Sequence, residues 1–183
     1  MADDFRPNPV AGLDASLEEF AVSTAEGSSA SLYEPLTRLL SSIREHLRMD
    51  VVFISRFVDQ QRVFQVVSTA GEQPPGLARG DSDPLLDTYC QRIVDGRLPR
   101  VIADTGESPE AQSLPITRKL GIGAFLSAPV VLPNGVVFGT VCCISHSPRP
   151  DLVDADARAL AAVADSIAAA IDRKGRVDFK GWM

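Results

Sequence analysis

The chain of 183 residues reads as one α/β domain of the α+β kind, a central antiparallel sheet of five or six strands with terminal helices on one face. Leu32, Leu36, Leu39, Leu40, Ile43 and Leu47 recur every three or four residues, which gives residues 31–48 one apolar helical face. Two apolar runs, 122–132 and 136–145, flank Pro133-Asn134-Gly135, and Asn-Gly tolerates the positive φ of a tight hairpin. An alanine-rich stretch from 153 to 174 carries a second helical stripe of Leu160, Val163, Ile167 and Ile171.

Along the chain, residues 1–30 read as a leader, rich in Pro, Asp and Asn at its start, with a short helix over 13–21 and a Gly-Ser break after it. Ser31 and Glu34 have capping-box spacing, and Pro35 fits the first turn of the helix that follows. Residues 50–57 and 62–70 predict two strands joined by a turn at 58–61. Neither alternates cleanly, so both faces are at least partly covered. Residues 71–84 form a long loop with Pro74-Pro75-Gly76, a length that points to a site or a local role. Asp83 is expected to cap a helix over 84–94 with Pro84 at its first position, and Gly96 to end it. Residues 100–104 predict a short strand, and 108–119 helical turns interrupted by Pro115. Pro129 marks an edge or bulged position in the strand that follows. The domain runs over 31–174, with 175–183 as a tail.

Composition limits the function classes. A formal charge of −6 with dispersed basic residues argues against a nucleic-acid partner. The N-terminus lacks the basic-then-apolar order of a signal peptide, and the apolar run near 159–171 is broken by Asp165 and too short to span a bilayer. Cys90, Cys142 and Cys143 are an odd set whose last two are adjacent on a strand, so no disulfide framework is expected. These readings place the chain in a reducing, cytoplasmic setting, with no membrane partner.

Candidate chemistry centres on Cys90, a thiol on a helix expected to cover the sheet, which is either a packing residue or a ligand-contacting or redox-sensitive one. Cys142 and Cys143 point to opposite faces of their strand, and no C-x-x-C spacing supports zinc or thioredoxin-like chemistry. Asp81, Asp83 and Asp87 fit helix capping better than a hard-metal loop, so no metal and no catalytic residue is assigned. Arg97 lies in a tight connection and either reaches an anionic ligand or Asp104 or serves the turn alone. A pocket over the sheet would be lined by Phe53 or Ile54, Phe64 or Gln65, Tyr89, Cys90, Ile122, Phe125, Ser127, Thr140 and Cys142, with Arg97 near it; alternate residues of each strand face it, and the sequence leaves the register open.

Residues 64–71 (FQVVSTAG), 87–90 (DTYC), 95–99 (DGRLP), 120–130 (LGIGAFLSAPV) and 134–142 (NGVVFGTVC) together resemble a GAF domain, the sensory module of bacterial signalling proteins, over about 31–173. The resemblance implies a six-stranded antiparallel sheet, first and last helices that often pair two subunits, and a ligand pocket on the opposite face. Its ligands range over cyclic nucleotides, bilins, haem and small metabolites, so the cofactor is left unassigned. Bilin-binding members place His after the attachment cysteine, whereas Cys90 is followed by Gln91. His46 and His146 sit at element ends rather than at a haem ligand position. The adjacent cysteines do not reproduce the pattern of methionine sulfoxide reduction, and the cyclic-nucleotide signature is absent. The resemblance thus implies a non-catalytic sensory or regulatory domain that binds a small molecule or a downstream signalling protein. The alanines of the last helix permit close approach of another helix, and paired with Leu32, Leu36 and Ile43 of the first long helix they support a homodimer through these two helices. A dimerisation or interaction module without a ligand, and a thiol enzyme using Cys90, are the alternatives. At this length the chain is either freestanding or a segment of a larger protein.

Overall fold

The computed structural model describes residues 12–25 and 31–175. In chain order the elements are α1 (Asp14–Ala25), α2 (Tyr33–Leu47), β1 (Val51–Val58), β2 (Gln61–Thr69), β3 (Ser82–Pro84), α3 (Tyr89–Val94) and β4 (Val101–Ile102). There follow α4 (Pro109–Ser113), α5 (Pro115–Lys119), β5 (Ala124–Val131), β6 (Val137–Ser145) and α6 (Asp154–Gly175). The strands form one six-stranded sheet in the order β3-β2-β1-β6-β5-β4, and every neighbouring pair is antiparallel.

Two cores lie on the two faces. The back core joins α1, α2 and α6 to Val52, Ile54, Val66, Leu126, Ala128, Val141 and Cys143 of the sheet. Leu36, Leu40, Ile43, Val163 and Ile167 are fully buried there, and each such side chain contributes about 1.5–3 kcal/mol by leaving water. Leu32, Leu36 and Ile43, expected at a subunit interface, belong to this core instead. The stripe that looked available to a partner is taken up by the chain's own sheet and helices. The segment expected as a leader also contributes: α1 lies against α2 and α6, and Phe20 on it and Leu13 just before it join the back core.

Several local expectations change in the structure. Leu32, not Ser31, takes the N-cap position of α2, and Ser31 Oγ accepts a hydrogen bond from Tyr33 N at 3.1 Å. Arg48, at φ 51°, ends the helix with a left-handed residue. Asp83 caps no helix: residues 82–84 form edge strand β3, Leu85–Asp87 makes a single 3-10 turn, and Thr88 Oγ1 caps the six-residue α3. Asp83 is drawn away because its carboxylate meets a buried arginine. Pro129 pairs with Thr140 of β6 on one side and lies past the end of the two-residue β4 on the other; Ser127 N points to that β4 side, so the amide hydrogen missing two residues on breaks no ladder.

A β-bulge sets which side chains reach each face. Ile54 pairs with Val66 and Ser55 with Phe64, leaving Gln65 as the extra residue of β2. The buried residues Arg62, Phe64, Val66 and Ser68 follow strict alternation in sequence, yet Phe64 enters the front core and Val66 the back core. Ser68 likewise turns to the back, where its hydroxyl meets Ser41 and Arg44 of α2.

Candidate functional site

The front face gathers residues from four strands beneath α3. Phe53 and Ser55 alternate on β1, Phe64 lies on β2, Phe125 and Ser127 on β5, and Thr140 and Cys142 on β6. Tyr89 and Cys90 come down from α3 to meet them: the Tyr89 ring lies 4.6 Å from that of Phe125, and the Tyr89 hydroxyl bonds Thr117 Oγ1 at 2.7 Å. Phe53 and Phe64 meet edge to face at 4.9 Å. Of the expected pocket residues, Ile122 joins the same front core and Ile54 turns to the back, while Phe53, Phe64, Tyr89, Cys90, Phe125, Ser127, Thr140 and Cys142 converge. Each of the converging residues is at most 1% exposed, so their own side chains fill the space against them.

Arg97 is not among them. It lies half-exposed after α3, and its Nη2 donates to Glu110 Oε1 at 2.7 Å, an ion pair that ties the turn to α4. Arg92 shares the same carboxylate at 2.9 Å. A lone arginine at a helix-to-strand turn carries no local signal of which acid it will meet.

At the centre of this apolar front lies a polar cluster. Thr140 Oγ1 donates to Cys90 Sγ at 3.1 Å and accepts from Cys142 Sγ at 3.2 Å, while Ser55 Oγ lies 3.0 Å from Thr140 Oγ1. Ser127 Oγ is 3.2 Å from Cys142 Sγ, and the two sulfurs stand 3.7 Å apart. All five residues are fully buried. Burial alone would raise the Cys90 thiol, but the neighbouring Cys142 thiol, the Arg62 guanidinium and Thr140 outweigh it and lower its pKa. Burial and the neighbouring Cys90 raise Cys142. The pair is thus poised with one sulfur inclined to lose its proton and the other to keep it.

Arg62 was not anticipated as a site residue. It is 1% exposed, and its guanidinium lies 4.4 Å from the Phe64 ring centre and 5.3 Å from that of Phe53. Its Nη2 is paired with Asp83 Oδ2, and Lys119 Nζ holds the other carboxylate oxygen. Its Nε is buried without a hydrogen-bond partner. Ser55 and Arg62 were both open to discovery by alternation, since each lies two residues from a phenylalanine of the front face. The pairing with Asp83, from a separate strand, was not.

The remaining sequence candidates fall elsewhere. Asp81 Oδ2 accepts from Ala78 N at 2.8 Å within its own loop. Cys143 faces the back core, as its position beside Cys142 requires. His46 is exposed in the last turn of α2, and His146 is exposed past β6 with Nδ1 2.9 Å from Gly121 O. Open space of about 220 Å³ lies beside that end of the sheet, lined by Asp50, Val51, Thr69, Gly71, Glu72 and His146. Among the described residues, no group of three or more His, Cys, Asp or Glu side chains is placed to hold a metal ion. Nor is any helix there long and apolar enough to cross a membrane.

Comparison with known proteins adds to this geometry. The sequence profile described as GAF domain matches residues 31–171. No curated protein matches the chain. Among solved structures, the chain is similar to the phycocyanobilin-bound GAF domain from a cyanobacterial phytochrome, with a TM-score of 0.73 at 17% identity over 91% of this chain and 97% of that one. It is similar to the GAF domain of an Acinetobacter phosphoenolpyruvate-protein phosphotransferase, with a TM-score of 0.69 at 17% identity over 91% and 96% of the two chains. A free methionine-R-sulfoxide reductase from Neisseria meningitidis, solved with its substrate, gives 0.70 at 14% identity over 94% and 96%. At these identities the likeness speaks for the fold.

Proposed function

The chain belongs to the GAF domain family, and from that premise we propose that it is a sensory or regulatory module without turnover chemistry. Its front face receives a small molecule or a segment of a signalling partner, and the helices behind the sheet carry the event onward. The supporting observation is the buried polar cluster of Ser55, Cys90, Ser127, Thr140 and Cys142 with Arg62 beside it. Arg62 Nε is buried there without a hydrogen-bond partner, which costs about 1–3 kcal/mol that a face serving packing alone has no reason to bear.

In this reading Phe53, Phe64, Tyr89 and Phe125 supply apolar walls, the hydroxyls and thiols orient the guest, and Arg62 Nε receives its acceptor atom. Because the face is filled, the guest gains room when α3 and the Asp83 strap move aside, an equilibrium that a bound guest would shift. Native mass spectrometry of the purified protein, followed by denaturing mass measurement, tests the proposal. A copurified mass that is lost on denaturation supports it. Matching masses in every preparation, with an unfolding midpoint unmoved by a panel of small carboxylates and nucleotides, sink it.

The same filled front favours a second reading, a dimerisation or interaction module whose ligand space has closed. Its surface would be the outer side of α6, where Arg158, Ala162, Asp165 and Ala169 are exposed at helical spacing. Ala162 and Ala169 permit close approach of a second helix there. Light scattering at low and high concentration decides the homodimer: a mass that doubles supports it, and a constant monomer mass removes it.

A further inference from the structure

Cys90 and Cys142 come from α3 and β6, 52 residues apart, and their sulfurs stand 3.7 Å apart in a shared hydrogen-bonding cluster. A disulfide needs about 2.05 Å, so side-chain rotation with a small shift of α3 closes the gap. Thr140 donates to one sulfur and accepts from the other, which fixes their orientation. The Arg62 guanidinium supplies a positive charge with an unpartnered Nε in the same buried region. Buried cysteines in apolar surroundings are ordinarily inert, and Cys143, on the opposite face, has that environment. The front pair has the hydroxyl, cation and second thiol that an inert cysteine lacks.

We infer that Cys90 and Cys142 form a reversible oxidation site, at which a hydroperoxide converts the two thiols into a disulfide joining α3 to β6. The Cys90 thiolate attacks one peroxide oxygen; an S–O bond forms as the O–O bond breaks, and the departing hydroxide takes up the proton Cys90 released. The Cys142 sulfur then attacks the sulfenic sulfur; the S–S bond forms as the S–O bond breaks, and the leaving hydroxide carries off the Cys142 proton as water. Two thiols lose two electrons, and one hydrogen peroxide becomes two waters. Peroxide is close to water in size, and it reaches the pair when the six-residue α3 lifts locally. The inference goes beyond the sensory reading and does not depend on a guest or a dimer.

The test uses the reduced full chain, treated with a small excess of hydrogen peroxide, alkylated under denaturing conditions and weighed. Alkylatable thiols fall from three to one, the mass drops by two hydrogens before alkylation, and peptide mapping links Cys90 to Cys142 with Cys143 still free. Dithiothreitol restores all three. The Cys143→Ala variant keeps the link, and Cys142→Ser stops at a Cys90 sulfenic acid that dimedone traps. Should Cys142→Ser not fold, the wild-type mapping stands alone. Three thiols surviving a dose that oxidises free cysteine, a link through Cys143 or between two chains, or direct conversion of Cys90 to the sulfinic acid would each overturn the inference.

Discussion

Arg62 is a cation taken out of water beside two aromatic rings, and its stability rests on the Asp83 carboxylate. Removing one member of a buried pair strands the other, at about 3–5 kcal/mol. Asp83→Ala is therefore expected to lower the unfolding free energy by that amount in urea titration. Lys119 pairs with the same carboxylate but leaves 45% of its side chain exposed, so Lys119→Ala is expected to lose about 0–1 kcal/mol. Equal losses for the two variants would show that the buried pair is not the strap described above. Cys90 permits a pH prediction with a definite sign. Its pKa is lowered by Cys142, Arg62 and Thr140 against the opposing effect of burial, so the reactive thiolate persists below the ordinary thiol value of about 8.5. The rate of peroxide consumption at low peroxide should stay level as pH falls from about 9 through 7 and decline only below the lowered pKa. A rate that climbs about tenfold per pH unit toward 8.5, as for a free thiol, would contradict the assignment.

The bulge in β2 makes a sharper demand on the chain than any propensity. Gln65 is the residue that lets Phe64 face the front while Val66 faces the back. Its deletion regularises the strand and leaves every other side chain on its own face, so the Gln65 deletion should fold with a single cooperative urea transition. Deletion of Val63 instead turns Arg62 toward the apolar back layer, at a cost of several kcal/mol, and should not yield that transition. If both deletions behave alike, the bulge does not set the faces. The contrast also explains what was legible beforehand. The Asn134-Gly135 hairpin and the stripes of α2 and α6 come from spacings within one element, and they appear in the sequence as they do in the fold, whereas Phe53 stood beside Ile54 and Phe64 beside Gln65 as equal candidates for the front, because the bulge that fixes their faces leaves no local mark. Asp83 was misread because an acid before a proline looks like a helix cap, while its partner Arg62 lies 21 residues away across a strand pair. The Cys90–Cys142 approach spans 52 residues and depends on how α3 settles on β6, which no local pattern encodes. Leu32, Leu36 and Ile43 have an apolar stripe's spacing whether they face a second chain or their own sheet, so spacing could not choose.

The molecule as a whole is two layers of unequal cohesion around one sheet. Behind it stand helices of 12, 15 and 22 residues sharing a continuous core. In front, α3, α4 and α5 have only 6, 5 and 5 residues, too short to persist without the sheet. Local opening should therefore begin in front, and amide hydrogen exchange can follow it residue by residue. In the reduced protein, amides of α3 to α5 are expected to exchange through a partial opening well below the global unfolding free energy, while those of β1 and β6 exchange only with global unfolding. After peroxide treatment the α3 amides should slow, because the disulfide ties Cys90 to the central strand, and those of α2 and α6 should change little. This ordering joins the two ideas about the front: a guest and a peroxide need the same movement of α3 to reach the buried cluster. Protection of α3 equal to that of β6 in the reduced chain would deny both of them access, while leaving the sheet and its back layer as described.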